Sequence, residues 1–87
     1  MDQTKVFDDI KRHIGEYLEQ DVSQITLDTK LLLIVPGMDS LKLFEAMLYL
    51  EDCFNIELGD NILDNVKNVG DLVQHIDSIL ALKSEMS

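Results

Sequence analysis

The sequence predicts an all-α protein, a small four-helix bundle of three longer helices and one short helix with a long first loop. Apolar residues recur at helical spacing in three segments of the chain. Hydrophobic residues make up 46% of the chain and aromatic residues only 6%, which favours the aliphatic core of a helical bundle. With 87 residues the chain has the size of one small domain, so we expect residues 1–87 to form a single domain.

The first helix is predicted from residue 4 to about residue 19. Its apolar residues follow the i, i+3/i+4 spacing of an amphipathic helix that buries one stripe. These residues are Val6, Phe7, Ile10, Ile14, Tyr17 and Leu18. Gly15 falls inside the helix, where glycine costs up to about 1 kcal/mol relative to alanine, so packing has to offset that cost.

Residues 20–39 are predicted to form a long connection, because their apolar residues follow neither a helical nor a strand period. Those residues are Val22, Ile25, Leu27, Leu31 and Leu32. A loop of about 20 residues is unusual in a compact domain unless it is functional or packed down. We therefore expect these side chains to hold the loop across the bundle.

The second helix is predicted over residues 40–54. It is more apolar than one core-facing stripe requires, with Leu41, Leu43, Phe44, Met47, Leu48, Leu50 and Phe54. Its solvated face is marked by helically spaced polar residues, namely Lys42, Glu45, Tyr49 and Asp52. Some of the apolar residues must therefore border that face, where a partner can reach them.

A short third helix of one or two turns is predicted within residues 60–66, packed through Ile62, Leu63 and Val66. A last helix follows it. Asn68 is placed to cap this helix, with Asp71 three residues later as in a capping box. Its buried stripe is predicted to be Val69, Leu72, Val73, Ile76, Ile79 and Leu80.

The chain is strongly acidic, with 17 acidic residues against seven basic ones and a net charge of −10. This charge argues against nucleic acid as a partner, since binding a phosphate backbone needs the opposite sign. The acidity either keeps the domain soluble or steers basic protein partners to it.

The cysteine count and the hydropathy bear on the compartment. Cys53 is the only cysteine, which rules out an intramolecular disulfide and is typical of a reducing compartment. The chain shows neither the basic and apolar start of a secretory signal nor an apolar stretch of about 18 residues. We therefore expect a cytoplasmic protein without stable membrane insertion.

Ser40 is the residue best placed for chemistry. The turn-forming pair Pro36-Gly37 precedes it and the second helix follows it, so Ser40 is expected at a loop-to-helix junction with its hydroxyl facing water. The amides and the positive dipole end of a helix start favour a phosphate there.

Two other kinds of site find little support. Ser40 lacks the Gly-x-Ser-x-Gly elbow of a hydrolase, and neither His13 nor His75 has a neighbour that suggests a catalytic triad. A group of oxygen-bearing residues lacks the calcium-loop pattern, so no metal site is predicted. That group is Asp60, Asn61, Asp64 and Asp71.

Three stretches carry a resemblance to a known family. Asp39-Ser40-Leu41 stands at a helix start and is followed by Glu45, and residues 50–58 (LEDCFNIEL) and 65–73 (NVKNVGDLV) continue the pattern. Together they resemble an acyl carrier protein over nearly the whole chain. The resemblance implies that Ser40, flanked by Asp39 and Leu41, is esterified by 4′-phosphopantetheine, whose thiol carries an acyl group as a thioester. Such a protein is a carrier and not an enzyme.

The resemblance also implies a cleft between helices for the acyl chain, with ordinary core packing as the alternative for each candidate residue. The candidates are Phe44, Leu48, Ile56, Leu63, Val66 and Val73. The implied partners are a phosphopantetheinyl transferase and the enzymes that load and use the acyl group in lipid, including fatty acid, or secondary-metabolite synthesis. These enzymes would bring basic docking patches, and we expect the carrier itself to be a monomer.

The sequence departs from the family pattern around Ser40. Lys42 stands where the family usually has an acid, and residues 31–35 are five apolar residues in a row that lead into Pro36-Gly37. Some of the apolar residues before Ser40 are expected to be exposed as an interaction surface. They are Leu33, Ile34, Val35 and Met38.

The predicted partner-binding residues are Val35, Met38, Lys42, Glu45, Leu48, Glu51 and Asp52. For the acids, a solvated face is the alternative. Lys42 would pair with the phosphate of the arm or with an acid of a partner. The alternative is that Lys42 arose by neutral sequence drift on a solvated face and has no function. These departures predict a specialised carrier with a dedicated partner rather than the general carrier of fatty acid synthesis. Two further readings stay open, an aminoacyl or peptidyl carrier and an unmodified helical interaction module.

Overall fold

The computed structural model describes residues 3–59 and 61–86. Its helices are α1 (Gln3–Leu18), α2 (Leu31–Ile34), α3 (Ser40–Phe54), α4 (Ile62–Asn65) and α5 (Val69–Met86), and a 3-10 turn, Pro36–Met38, joins α2 to α3. An isolated antiparallel bridge pairs Lys30 with Asn68. The predicted all-α fold is confirmed. Within residues 3–59 and 61–86, no helix is both long and apolar enough for a membrane span.

Helix α1 packs against both α3 and α5 through one apolar stripe. The stripe consists of Val6, Ile10, Ile14 and Leu18, which are all buried. Phe7 and Tyr17, which the spacing also assigns to it, lie half-buried at its border. The predicted bounds of this helix are therefore correct to within one residue.

Gly15 allows the chain after α1 to cross close to the helix. A β-carbon at this position would lie 3.0 Å from a methyl group of Val22 and 3.3 Å from the Gln20 carbonyl oxygen. The Gln20 amide donates to the Gly15 carbonyl oxygen at 3.1 Å. Only a residue without a side chain lets the loop approach this closely. The contacts made there offset the low helix propensity of glycine.

The long connection contains a helix that the sequence analysis did not predict. Helix α2 is a single turn, and its first residue, Leu31, is buried. One turn is too short to display a period of 3.6, and the unbroken apolar run 31–35 conceals which side faces inward. The expectation of an irregular connection over residues 20–39 is therefore wrong for its second half.

Backbone hydrogen bonds hold this connection to the start of α5. The Leu31 amide donates to the Lys67 carbonyl oxygen at 3.1 Å, and the Val69 amide donates to the Thr29 carbonyl oxygen at 2.8 Å. The Gly70 amide donates to the Leu27 carbonyl oxygen, also at 2.8 Å. Main-chain bonds, together with the burial of Leu31, thus tie the loop across the bundle, whereas the Leu27 side chain is largely exposed.

The core is aliphatic, as the composition predicts. Its α3 and α5 contributions are Leu43, Ala46, Met47, Leu50, Val69, Leu72, Val73 and Ile76. No polar or charged side chain in the described part of the chain is buried. Such a core holds the helices together through apolar burial and close packing.

The last helix begins as the capping pattern predicts. The Asn68 side-chain oxygen accepts from the Asp71 amide at 2.8 Å. The Asp71 carboxylate reaches back to the Lys67 amide at 3.1 Å, one residue before the cap. In the short third helix, Ile62 and Val66 are buried as predicted, while Asp60, where the predicted segment starts, lies outside the described residues.

Candidate functional site at the start of helix α3

Ser40 is the first residue of α3 and is exposed, as the sequence predicts. Asp39 caps this helix in an extended conformation. Its carboxylate accepts from the Leu41 amide at 3.0 Å and from the Lys42 amide at 3.4 Å. An aspartate cap of this kind stabilises a helix start by about 1 kcal/mol, because it satisfies amides that have no partner in the helix and complements the dipole.

This cap corrects one expectation about the site. From the sequence, open amides at the start of α3 are expected to receive a phosphate. The Leu41 and Lys42 amides instead already donate to Asp39, whose negative charge also lies one residue from Ser40. These two amides are therefore not free to bind a phosphate on the serine.

A sharp turn presents Ser40 at the surface. Gly37 and Met38 both have left-handed backbone conformations, with φ of 71° and 55°. The Met38 amide donates to the Val35 carbonyl oxygen at 3.0 Å, which closes the turn. Glycine adopts this conformation without steric cost, whereas Met38 has to be held there by the turn.

The apolar residues before Ser40 differ in burial. Leu33 is 61% exposed and Met38 is also largely exposed, whereas Val35 is only 2% exposed. The prediction that Val35 contacts a partner is therefore wrong. Val35 lies one helical turn after the buried Leu31, and this i, i+4 spacing directs both side chains inward.

The exposed apolar residues continue after Ser40 along α3. Leu41 and Leu48 are largely exposed and lie seven residues apart, which places them on the same side of the helix. Asp52 follows one turn later and is exposed as well. Met38, Leu41 and Leu48 together form what we call the outer apolar surface of the site.

The predicted docking acids have different environments. Glu45 is exposed, and its carboxylate accepts from the Tyr17 hydroxyl at 3.4 Å. Burial, and then the charge of Glu45, raises the pKa of Tyr17 above its usual value. Glu51 is half-buried, and its carboxylate accepts from the Leu58 amide at 2.6 Å. Glu51 therefore secures the chain after α3, and its role in docking stays a prediction.

A pocket of about 220 Å³ opens beside Ser40. It lies between α2, α3 and the segment that includes α4, and its lining is Leu31, Leu32, Ser40, Leu43, Leu63, Val66 and Lys67. Apart from Ser40 and Lys67 these residues are apolar. The pocket can thus shelter an apolar chain that starts near the serine.

Only two of the six residues predicted to form an acyl cleft, Leu63 and Val66, line this pocket. Ile56 lines a larger pocket of about 520 Å³ at the other end of α3, and Val73 lines one of about 160 Å³ between α5 and α1. Phe44 is half-buried and Leu48 is exposed, and neither borders the pocket beside Ser40. The predicted set therefore does not form one cleft.

The sequence analysis missed four of the lining residues. Leu43 could have been found, because it lies three residues after Ser40 on the same side of α3. Leu31 and Leu32 were hidden by the unrecognised helix α2. Lys67 carries no local pattern, since only the packing of the chain before α5 against α2 brings it to the pocket.

His13 does not supply a base to Ser40. Its ring packs edge-on against Phe54 and Tyr49, with centroid distances of 5.6 Å and 6.3 Å, in an aromatic cluster between α1 and α3. Among residues 3–59 and 61–86, no group of three or more His, Cys, Asp and Glu side chains is arranged to hold a metal ion.

Comparison with known proteins adds independent findings. The family model described as a phosphopantetheine attachment site matches residues 8–76. An acyl carrier protein of Helicobacter pylori (strain J99) is 38% identical over 72 residues, which cover 83% of this chain and 91% of that protein. One from Exiguobacterium sibiricum is 37% identical over 78 residues (90% and 98%), and one from Onion yellows phytoplasma is 41% identical over 71 residues (82% and 92%).

Proposed function

Since the chain belongs to the acyl carrier protein family, we propose that Ser40 is the residue that bears the 4′-phosphopantetheine arm. The role of the family is that of a carrier and not an enzyme, with the acyl group held as a thioester on the arm. The exposed position of Ser40 at the start of α3 is the observation that supports this assignment best. All 87 residues would form one carrier domain.

The residues around Ser40 fit such an arm. The hydroxyl is open to an enzyme, and an apolar pocket lies directly beside it. In the attachment step the Ser40 oxygen forms a phosphodiester with the pantetheine phosphate of coenzyme A. The hydroxyl proton is lost and 3′,5′-adenosine diphosphate leaves. A phosphopantetheinyl transferase has to catalyse this step, which makes it the first partner of the family.

The pocket beside Ser40 is the place we propose for the start of the acyl chain. Its apolar lining residues are Leu31, Leu32, Leu43, Leu63 and Val66. Withdrawing an apolar chain from water into such a pocket is favourable by about 0.8 kcal/mol per methylene. The two residues retained from the sequence-based cleft, Leu63 and Val66, come from α4 and the residue after it, so this segment would help determine how much of the chain enters.

We propose that partner enzymes dock on the outer apolar surface and the acids beside it. Met38, Leu41 and Leu48 would supply the contact area, and Glu45 and Asp52 would meet basic residues of the enzyme. The net charge of −10 would steer such enzymes to the carrier. Lys42 follows Leu41 in α3 as an exposed cation and would favour a partner with an acid opposite it, which supports a dedicated partner.

The carrier would act as a monomer. It would be cytoplasmic, because its single cysteine, Cys53, is unpaired and exposed, as is typical of proteins kept in a reducing compartment. The proposed partners are the enzymes of lipid or secondary-metabolite synthesis that load the acyl group onto the arm or use it. An aminoacyl or peptidyl cargo would use the same arm and differ only in what the thioester holds.

Intact mass measurement tests the assignment. Wild-type protein incubated with a phosphopantetheinyl transferase and coenzyme A is expected to gain the mass of one arm, and Ser40→Ala to gain none. Ser78→Ala is the matched control, since Ser78 is exposed on α5, and it should be modified like the wild type. A wild-type protein that gains no mass would leave the unmodified interaction module as the function. The intact mass from the native cell would identify the cargo.

A further inference from the structure

Two of the amides at the start of α3 are not open to the phosphate of an arm on Ser40. Asp39 occupies the Leu41 and Lys42 amides and places a carboxylate next to the modified residue. A phosphodiester also carries a negative charge, so these two groups repel each other. A cation near Ser40 would relieve this repulsion and decide in which direction the arm leaves the serine.

Lys67 is the cation that shares a pocket with Ser40. It is the charged residue among those that line the pocket of about 220 Å³, and its side chain is exposed at the rim. Lys42 lies closer to Ser40 in the chain but does not border this pocket. Of these two lysines, only Lys67 therefore borders the space beside Ser40.

The backbone of Lys67 is held on both sides. Its amide donates to the Asp71 carboxylate at 3.1 Å, and its carbonyl oxygen accepts from the Leu31 amide at 3.1 Å. These bonds fix the residue between α2 and the start of α5. A lysine on a fixed backbone loses less freedom when it binds a phosphate than one in a mobile loop.

The side chain of Lys67 keeps donor capacity for a phosphate. Its ammonium group donates to the Leu63 carbonyl oxygen at 3.4 Å, which uses one of its three hydrogens. The ion pairs within 4 Å in the described part of the chain are Lys11 with Asp8 and Arg12 with Asp9, so Lys67 is not committed to a carboxylate there. Two hydrogens remain for an incoming anion.

We propose that Lys67 binds the phosphate of the arm on Ser40 and draws the arm over the pocket. This inference rests on the proposed modification of Ser40. Lys67 acts as a positioning residue, because it sets the direction of the arm and takes no part in forming or using the thioester. When the ammonium group holds the phosphate, the pantetheine chain starts at the mouth of the apolar pocket rather than toward the solvated face of α3.

The phosphorus resonance of the holo-protein tests this proposal. Each variant is first converted with a phosphopantetheinyl transferase and coenzyme A, and intact mass confirms the added arm. The ³¹P chemical shift of the phosphodiester is then measured for wild type, Lys67→Gln, Lys67→Arg and Lys42→Gln. We expect Lys67→Gln to move the resonance, Lys67→Arg to restore it and Lys42→Gln to leave it unchanged. Glutamine keeps the backbone bonds of Lys67, so equal thermal stability of the variants checks that the fold is intact.

Salt provides a second readout on the same samples. At about 1 M salt the screening length falls to about 3 Å, so a salt titration should move the wild-type resonance toward that of Lys67→Gln. Identical shifts and salt responses in wild type and Lys67→Gln would overturn the proposal, and so would a shift caused by Lys42→Gln alone. If intact mass shows no arm on the wild type, the assignment of Ser40 itself is wrong and the role of Lys67 is overturned with it.

Discussion

The ring of Tyr17 in α1 stacks on the ring of Tyr49 in α3, with centroids 4.9 Å apart and planes inclined by 30°. The Tyr17 hydroxyl also donates to Glu45 at 3.4 Å, on the proposed docking face. The stack therefore links the packing of two long helices to the position of a carboxylate that partners would meet. Offset stacking of this kind contributes beyond the apolar area it buries.

Two substitutions of Tyr17 distinguish the contribution of its ring from that of its hydroxyl. Tyr17→Phe keeps the stack on Tyr49 and removes the bond to Glu45, so we expect a free energy of unfolding close to wild type at neutral pH. Tyr17→Ala removes the stack and is expected to lower that free energy clearly. Urea denaturation followed by circular dichroism measures both. Equal stability of the two variants would mean that the stack contributes nothing.

High pH is expected to destabilise the protein through the same two tyrosines. The pKa of Tyr17 is raised by burial and by Glu45, and that of Tyr49 chiefly by its interaction with Cys53. Because both folded-state pKa values lie above the ordinary value of 10.0, the unfolded state ionises first as the pH rises. The associated stability is thus complete below pH 10.0 and is lost as the pH rises through the folded-state values.

Urea denaturation across this pH range measures the effect. The loss of stability above pH 10.0 is expected to be smaller in Tyr17→Phe than in wild type, and smaller still in Tyr17→Phe combined with Tyr49→Phe. A loss of the same size in all three proteins would show that other groups cause it.

Removing the cap of α3 is expected to cost stability without removing Ser40. Asp39→Ala leaves the Leu41 and Lys42 amides without their acceptor and should lower the free energy of unfolding by about 1 kcal/mol. Asp39→Asn keeps an acceptor oxygen and should lose much less. Chemical denaturation of the three proteins checks this order. If Asp39 acted only through its charge, the two variants would be equally unstable.

Val35 and Leu33 are two nearby apolar residues whose truncation tests which of them is buried. Val35 is 2% exposed and Leu33 is 61% exposed, although they lie two residues apart. Val35→Ala should therefore lower the free energy of unfolding by about 2 kcal/mol, through lost burial and the cavity left behind. Leu33→Ala should change it by no more than about 0.5 kcal/mol. Thermal denaturation measures both, and the reverse order would mean that Val35 faces solvent.

Glu51 and Asp52 are adjacent acids for which we expect different roles, Glu51 in stability and Asp52 in docking. Glu51→Ala removes the acceptor of the Leu58 amide and should cost about 2 kcal/mol of stability, since the acceptor is charged and half-buried. Asp52→Ala is expected to leave stability nearly unchanged and to slow association with a basic partner enzyme. Urea denaturation and stopped-flow association measure the two effects. Loss of stability in Asp52→Ala but not in Glu51→Ala would contradict the assignment.

The three longer helices could be read from the sequence because each shows several turns of helical spacing. The bounds predicted for α3, residues 40–54, agree with the structure, and those of α1 differ by one residue at each end. Helix α2 could not be read, since one turn of an unbroken apolar run has no period. The cap on Asn68 was predictable because it involves a contact only three residues apart.

The sequence by itself determined the features that depend on near neighbours. A turn before Ser40, an asparagine that caps the last helix and a strongly acidic chain are all properties of near residues or of composition. Tertiary structure alone decided that Val35 is buried, that Glu51 binds the Leu58 amide, and that Lys67 shares a pocket with Ser40. These contacts join residues on different segments, so they exist only once the loop, α3 and α5 have packed around one core.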